Sequence, residues 1–465
     1  MTSHRRTLFS NIYYKTVYGL FLAATAVTIL RGERAARTIA FGIFGVGFGL
    51  LLKYPETMVA AIHTLPFLGA FSLGGTTLLI VLIATMTLAF CLRAIRYFKL
   101  LFDWPVLVTF VFFFYMLINW YFSGQEDPTF GQARLRLYFI RGVIPAALIL
   151  TLDRVRQRLH DFCTSTALLS SISAFMILCV YFGIGNLTKT TWGNAQRVGL
   201  LGFDPISFSL PVGIGLLMLL YLFFSVKNIF HKLGIVVIAG IMLFSIFPTG
   251  TRQTILSLFA GVMAYALVAY RHMLAKVFGS LLFLILLSLM LFLFVQRLQS
   301  NRFDFFSGRL VRSESFKGRL HTMGQGMETF KKAPYFGVGA GGHGDFIYTT
   351  NPTTGKRSKD KSHIHNLFVE LLAEQGLIGF VLYLVPIVAV LWRLTWNFLK
   401  HAEDRQLRAQ TALLLSLFCF AFVQSNISGG ISVSGSFITT LVAWMSVYTR
   451  PTAKRLMKHC QTYGV

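Results

Sequence analysis

The sequence predicts an all-α, polytopic membrane protein with about 12 (12–14) transmembrane helices, and three observations carry that prediction. Hydrophobic residues make up 55% of the 465 residues, only 13% are charged, and the mean hydropathy is +0.64; about a quarter of a soluble protein's residues would be charged. The apolar runs are continuous rather than alternating, so helices and not a closed barrel satisfy the backbone in lipid. Lys and Arg gather in short clusters on every second connection, as the positive-inside rule requires.

In order, weak runs at Val17–Leu30, Thr38–Leu52 and Met58–Leu73 are short for a bilayer, and they leave the first spans open between a hairpin and an interfacial segment. Firmer spans follow at Thr76–Leu92, Pro105–Phe122, Tyr138–Leu152, Thr164–Ile184, Ile206–Val226, Lys232–Phe247, Thr254–Tyr270 and Lys276–Gln296. After a long polar segment come Leu377–Trp396, Thr411–Asn426 and Ile431–Tyr448. This divides the chain into 1–296 (N-terminal helices), 297–366 (a long connection) and 367–465 (C-terminal helices). The basic segments at 93–99, 153–158, 227–232, 271–276, 400–408 and 450–458 all fall on one side, assigned as cytoplasmic. The segment RGERAAR at 31–37 conflicts with that scheme unless the first run does not cross, or crosses in the opposite sense.

The formal charge of +26 does not indicate nucleic-acid binding, because most of the basic residues are accounted for as topology signals. The connection from Arg297 to Asn366 is the exception: it holds twelve Lys and Arg against five Asp and Glu. Such an excess suits an anionic ligand. The five cysteines, Cys91, Cys163, Cys179, Cys419 and Cys460, lie outside it and support neither a disulfide framework nor a zinc cluster. The amino terminus has no convincing cleavage site and reads as an uncleaved cytoplasmic end.

Several arginines stand on the side where the topology signal does not want them: Arg134, Arg136, Arg197, Arg252 and those of the long connection. In PTGTRQT, Pro248, Thr249 and Gly250 break one helix and Arg252 opens the next, where free N–H groups and a guanidinium fork suit phosphate oxygens; a snorkelling interfacial arginine is the plainer reading. The segment 316–330 places apolar residues at 316, 320, 323, 327 and 330, a helical stripe expected to pack on the membrane domain with Met323 and Met327 in the core. Arg319 flanks the stripe and faces either solvent or a cleft. Glycines at 337, 339, 341, 342 and 344 read as a tight structural turn, with His343 at the surface or in the turn. In SHIHNLFVELLAEQGLIG, Asn366 is expected to cap a helix that stops at Gln375–Gly376. His365 then sits at a helix N-terminus, where the dipole keeps the ring neutral and able to accept a proton. No acidic or Cys ligand set accompanies the HxH spacing of His363 and His365, so no metal is expected. Arg197, before the helix start at Asp204–Pro205, is a further candidate anion ligand or a plain loop arginine.

The order of these motifs over about residues 190–385 resembles the O-antigen ligase and O-antigen polymerase superfamily of bacterial envelope glycan-assembly proteins. The resemblance rests on Arg197 in QRVGLLGFDP, Arg252 in TGTRQT, Arg319 in GRLHTMGQGMETFKKAPYFGVGAG, and His365–Asn366 in SHIHN. It implies a GT-C-like fold in the bacterial inner membrane, with the active site in a periplasmic loop. It also implies metal- and cofactor-free inverting transfer from an undecaprenyl-diphosphate-linked glycan. His365 would be the general base, Arg252 and Arg319 would neutralise the diphosphate, Arg197 would support them, and Asn366 would fix His365. The HIHN motif and compact loop look more like the ligases, whose acceptor is lipid A–core oligosaccharide, than the polymerases, whose acceptor is a second lipid-linked glycan. A transporter of an anionic lipid-linked substrate would want ionisable groups within the spans; Arg141 is the main one here.

Overall fold

The computed structural model describes parts of residues 16–52 and, apart from short gaps, residues 54–96, 102–184, 189–192, 197–200, 205–269, 314–350, 357–359 and 364–450. The expected span Lys276–Gln296, the opening of the long connection and most of the run Thr38–Leu52 lie outside these residues. The helices are α1 (Pro55–Thr64), α2 (Leu78–Arg96), α3 (Trp104–Phe122), α4 (Pro128–Tyr138), α5 (Ile144–Leu150), α6 (Val155–Phe182), α7 (Pro205–Ser225), α8 (Ile229–Thr249), α9 (Arg252–Ala269), α10 (Glu314–Lys332), α11 (Leu367–Lys400), α12 (Arg405–Ile427) and α13 (Ser436–Thr449). Among the described residues, nine helical stretches are long and apolar enough to cross a membrane. Among the described residues the strands form three short antiparallel hairpins: β1 (Ser72–Leu73) with β2 (Thr76–Thr77), β3 (Lys189–Trp192) with β4 (Arg197–Leu200), and β5 (Tyr348–Thr350) with β6 (Arg357–Lys359). The protein is a polytopic helical membrane protein.

The run Met58–Leu73 does not cross. Its helical part, α1, has 10 residues, follows Pro55, and is buried almost throughout against α6. Thr57 Oγ1 meets Ser165 Oγ at 2.9 Å, and Ser173 Oγ donates to the Thr64 carbonyl at 2.7 Å, so α1 lies alongside α6 as a half-length helix. Such a helix inside the bundle is tolerated because protein rather than lipid surrounds its ends. The expected span Tyr138–Leu152 is instead the second half of a continuous rod: α4 and α5 joined by a π-helical turn, Phe139–Val143. A second π-helical turn, Ile431–Gly435, opens into α13. Each turn inserts a residue into the helical repeat and rotates everything beyond it, which the hydropathy pattern does not reveal. The last helix is the hub: α13 is buried over nearly its whole length, with Trp444 at 0% exposure.

One end of the bundle is closed by ion pairs. Asp103, the residue before α3, accepts from Arg393 Nη1 at 2.9 Å and from Arg450 Nε at 3.0 Å, joining α3, α11 and the end of α13. Arg93 Nη2 reaches Asp153 at 3.2 Å and Arg158 Nη1 reaches Glu56 at 3.0 Å. Burial alone would raise the Asp103 carboxyl, but hydrogen bonds from Ser446, Arg393 and Arg450 outweigh it and hold the group below its ordinary value. A depressed carboxylate contributes stability above its unfolded pKa and loses it as the pH falls through the folded one. Asp103→Asn should therefore melt earlier than wild type at pH 7, by about 1–3 kcal/mol. The gap should stay constant from pH 8 to pH 5 and close in more acidic buffer; detergent-solubilised protein followed by thermal unfolding would check this.

Candidate functional site

The other end of the bundle carries irregular backbone, and the candidate residues stand there. Ile364 is buried, and the chain turns at His365 into α11. Asn366 Oδ1 accepts from the N–H groups of Phe368 at 3.0 Å and Val369 at 3.1 Å, the N-cap expected from the sequence. Its Nδ2 points at the carbonyl of Asn426 at 3.4 Å, near the end of α12. His365, half-buried, is thus fixed just ahead of a capped helix whose first N–H groups are already occupied.

The helix that follows is short. Gly376 takes φ 63° and ψ −169°, so α11 is two helices meeting at a kink, the stop expected at Gln375–Gly376. The glycine-rich turn plugs that kink. Val338 and Gly339 donate to the carbonyls of Ala373 (3.1 Å) and Glu374 (2.8 Å), while Leu377 and Ile378 donate to Pro334 (2.9 Å) and Tyr335 (3.2 Å). Every backbone group freed in these pairs finds a partner, which an embedded helix break requires. Asn119 Nδ2 donates to Phe336 O at 2.7 Å, Tyr115 Oη to Gln375 O at 2.8 Å, and Gln125 Nε2 to Ala340 O at 2.9 Å, tying the turn to α3 and its following loop. The structural reading of the glycines is thereby supported, but His343 is not at the surface: it has 0% exposure, in the 3₁₀ turn Gly342–Phe346.

On α10 the expected stripe needs correction. Leu320 (51%) and Met327 (37%) are exposed, and the buried positions are Gly326 and Thr329. A Cβ on Gly326 would stand 2.7 Å from Val369 and 2.8 Å from Ile364, so this glycine is where α10 crosses the start of α11. Apolar residues at helical spacing also suit a face turned toward lipid, which is why the pattern misassigned them. Arg319 lies seven residues before Gly326, two turns along the same face, and is half-buried. Arg319 is thus neither fully exposed nor fully buried, and the Gly326 end of its face is what meets the start of α11.

Arg252 is exposed and opens α9. Helix α8 continues through Pro248 to Thr249 rather than breaking at the proline, and Gly250 at φ 63° turns the chain. Thr249 Oγ1 and Thr251 Oγ1 meet at 2.8 Å, and Thr254 Oγ1 bonds Ser209 Oγ at 2.9 Å. Ser257 of α9 bonds Gln424 of α12 at 3.0 Å, so Arg252 and His365 both adjoin the same end of α12. Arg197 begins β4, opposite Trp192, on a hairpin that packs against α6, α7 and α8. The structure therefore gathers these four positions at one end of the bundle, from segments far apart in sequence.

Arg134 does not belong with them as an anion ligand. It is buried at 3% exposure, with Nη1 bonded to Glu370 Oε1 at 2.7 Å and to Glu374 Oε1, and its guanidinium lies over Phe130. Glu370 and Glu374 escaped the sequence reading. Their signal was there: two acids four apart in an otherwise apolar run are expensive unless a cation meets them.

Residues 237–384 match the sequence model of a family described as O-antigen ligase. Those residues are similar to that family. Arg252, Arg319, His365 and Asn366 fall inside the matched residues, and Arg197 precedes them. The chain is also similar to the teichuronic acid biosynthesis protein TuaE of Bacillus subtilis (strain 168), 25% identical over 243 residues, which is 50% of this chain and 48% of that relative. The alignment thus spans about half the length of the curated relative. Both similarities point to glycan assembly.

The kink gives a direct test. A Cβ on Gly376 would stand 2.3 Å from the Tyr335 carbonyl in a backbone conformation that other residues avoid, whereas nothing lies within 4 Å of Gly324 on α10. Gly376→Ala should cost at least about 3 kcal/mol and abolish function, and Gly324→Ala should be neutral or slightly stabilising. Thermal unfolding of both variants, with complementation of a deletion strain, separates them.

Proposed function

We propose that this protein is an O-antigen ligase, transferring a glycan from undecaprenyl diphosphate to a hydroxyl of lipid A–core oligosaccharide at the periplasmic face of the inner membrane. The observation that carries this reading is the crossing of α10 over the start of α11 at Gly326, which turns the Arg319 face toward the element presenting His365.

His365 takes the proton of the acceptor hydroxyl as its oxygen attacks the anomeric carbon. The bond from that carbon to the diphosphate oxygen breaks, the configuration inverts, and the electron pair leaves on the diphosphate. Arg252 and Arg319 stabilise the charge that develops there, with Arg197 as a further ligand. Asn366 holds the start of α11, and so His365, in place. No nucleotide sugar, metal or other cofactor enters the scheme.

A second reading is a polymerase, in which a second undecaprenyl-linked glycan is the acceptor. The similarity to a protein named for teichuronic acid biosynthesis favours an acceptor other than lipid A–core oligosaccharide.

Deleting the gene and resolving the lipopolysaccharide on a gel distinguishes the two. Loss of all O-antigen from lipid A–core with accumulation of long undecaprenyl-linked polymer identifies a ligase, and a core bearing one repeat unit identifies a polymerase. An unchanged ladder rejects both acceptors. Complementation with His365→Ala should restore the inserted protein but not the ladder, with activity down at least 100-fold; near-normal transfer would remove the general-base role. Arg252→Lys should lower transfer about tenfold, because a point charge does not reproduce a two-pronged fork. If lysine serves equally well, the position supplies charge alone.

A further inference from the structure

Arg141 sits on the π-helical turn Phe139–Val143, just inside the apolar stretch that runs on into α5. A guanidinium at such a depth is costly unless an anion or a set of carbonyls receives it. No carboxylate among the described residues bonds it, and its Nε is buried with no hydrogen-bond partner among them. The side chain nevertheless keeps part of its surface accessible, as does His63 on α1, which lies within electrostatic reach of it.

His63 does not supply the missing charge. Thr440 Oγ1 has carbonyl acceptors at Arg141 O and Ser436 O, both at 3.2 Å, which occupy its single proton. The contact of His63 Nε2 with Thr440 Oγ1 at 3.0 Å must then run from the ring N–H to the hydroxyl oxygen. The ring therefore donates from Nε2 and meets Phe437 in an edge-to-face contact. Across from Arg141 stands the second π-helical turn, Ile431–Gly435, packed closely enough that a Cβ on Gly142 would reach Ser436 at 3.4 Å. Ser434 on that turn has a buried hydroxyl with no partner among the described residues. Two packed helix irregularities thus each carry a buried polar atom, Arg141 Nε and Ser434 Oγ, without a partner among the described residues.

The geometry points to Arg141 as a phosphate-binding residue within the membrane, receiving the diphosphate of the lipid-linked substrate. The occupant has to be anionic to answer the guanidinium and has to carry an apolar chain to reach it. A prenyl diphosphate meets both conditions, and so does the phosphate of a bulk anionic phospholipid. This inference rests on the reading of the protein as a user of an undecaprenyl-diphosphate-linked donor, and it assigns that donor a ligand beyond Arg197, Arg252 and Arg319.

The test is binding of undecaprenyl diphosphate to the full chain in phosphatidylcholine nanodiscs, by native mass spectrometry, with phosphatidylglycerol and inorganic diphosphate as competitors. Wild type should bind, Arg141→Gln should bind at least tenfold more weakly, and Arg141→Lys should fall at least threefold, with neither competitor displacing the lipid. Gly324→Ala should bind as wild type does. Size-exclusion profile and thermal unfolding report folding, and Arg141→Lys, which keeps stem and charge, stands in if Arg141→Gln does not fold. Undiminished binding by the folded variants overturns the inference while leaving the enzyme reading intact. Equal displacement by phosphatidylglycerol also overturns it, making the site one for bulk lipid. Absence of binding by wild type overturns the donor assignment itself, and the inference with it.

Discussion

A single guanidinium sets the position of the helix that bears His365. Arg134 on α4 holds both Glu370 and Glu374, and both acids belong to the short helix between the Asn366 cap and the Gly376 kink. All three side chains are at 3% exposure or less. In so dry a place neither charge can be removed alone, because breaking one partner of a buried pair costs about 3–5 kcal/mol. Glu370 also packs on Gly430, where a Cβ would stand 3.1 and 3.2 Å from its carboxylate oxygens. The start of α11, the middle of the α4–α5 rod and the turn into α13 are thereby one unit. His365 projects from that unit, and Arg141 lies two turns further along the rod that carries Arg134.

The two ends of the bundle are built differently, and the difference suits a surface chemistry. At the Asp103 end, side-chain ion pairs close regular helices. At the His365 end, the backbone departs from the α-helix repeatedly: the Gly376 kink, both π-helical turns and the Gly250 turn. Irregular backbone in a membrane protein survives only where protein partners or a polar cavity receive its freed groups. The interlock of residues 334–339 with 373–378 meets that demand with backbone bonds alone. Such bonds hold without regard to side-chain sequence, provided glycine occupies 337 and 376, where each Cβ would strike a carbonyl group of the other strand.

Local features were legible in the sequence, and long-range ones were not. Helices α2, α3, α6 to α9, α12 and α13 follow from hydropathy because lipid imposes a length and a composition on each. The Asn366 cap and the Gly376 stop follow from residue chemistry within one turn. The glycine-rich segment announced a turn but not what it plugs, since nothing in 333–344 names Ala373 or Asn119. Arg134 read as a surface cation because its partners lie over 230 residues away. Leu320 and Met327 read as core because periodicity finds an apolar face without saying whether protein or lipid covers it. The convergence of Arg197, Arg252, Arg319 and His365 at one end came from topology and motif order together, and neither would have given it alone.

Electrostatics at that end divides the proposed roles of the arginines. A lipid diphosphate is anionic both before and after glycosyl transfer, so a cation that touches only its lipid-side phosphate binds donor and product nearly alike and does little to the barrier. A cation at the sugar-bearing phosphate, where charge develops as the sugar departs, accelerates the step. An arginine near the start of α11 is placed for that work if His365 is the base, because attacking and leaving oxygens flank one carbon. Arg319, on the α10 face that crosses this start, is the candidate for that role. Arg141, within the apolar packing of the bundle, is placed to hold the lipid end instead. The expected signatures are opposite: loss at Arg319 should fall on the turnover of bound donor, and loss at Arg141 on how tightly donor is held.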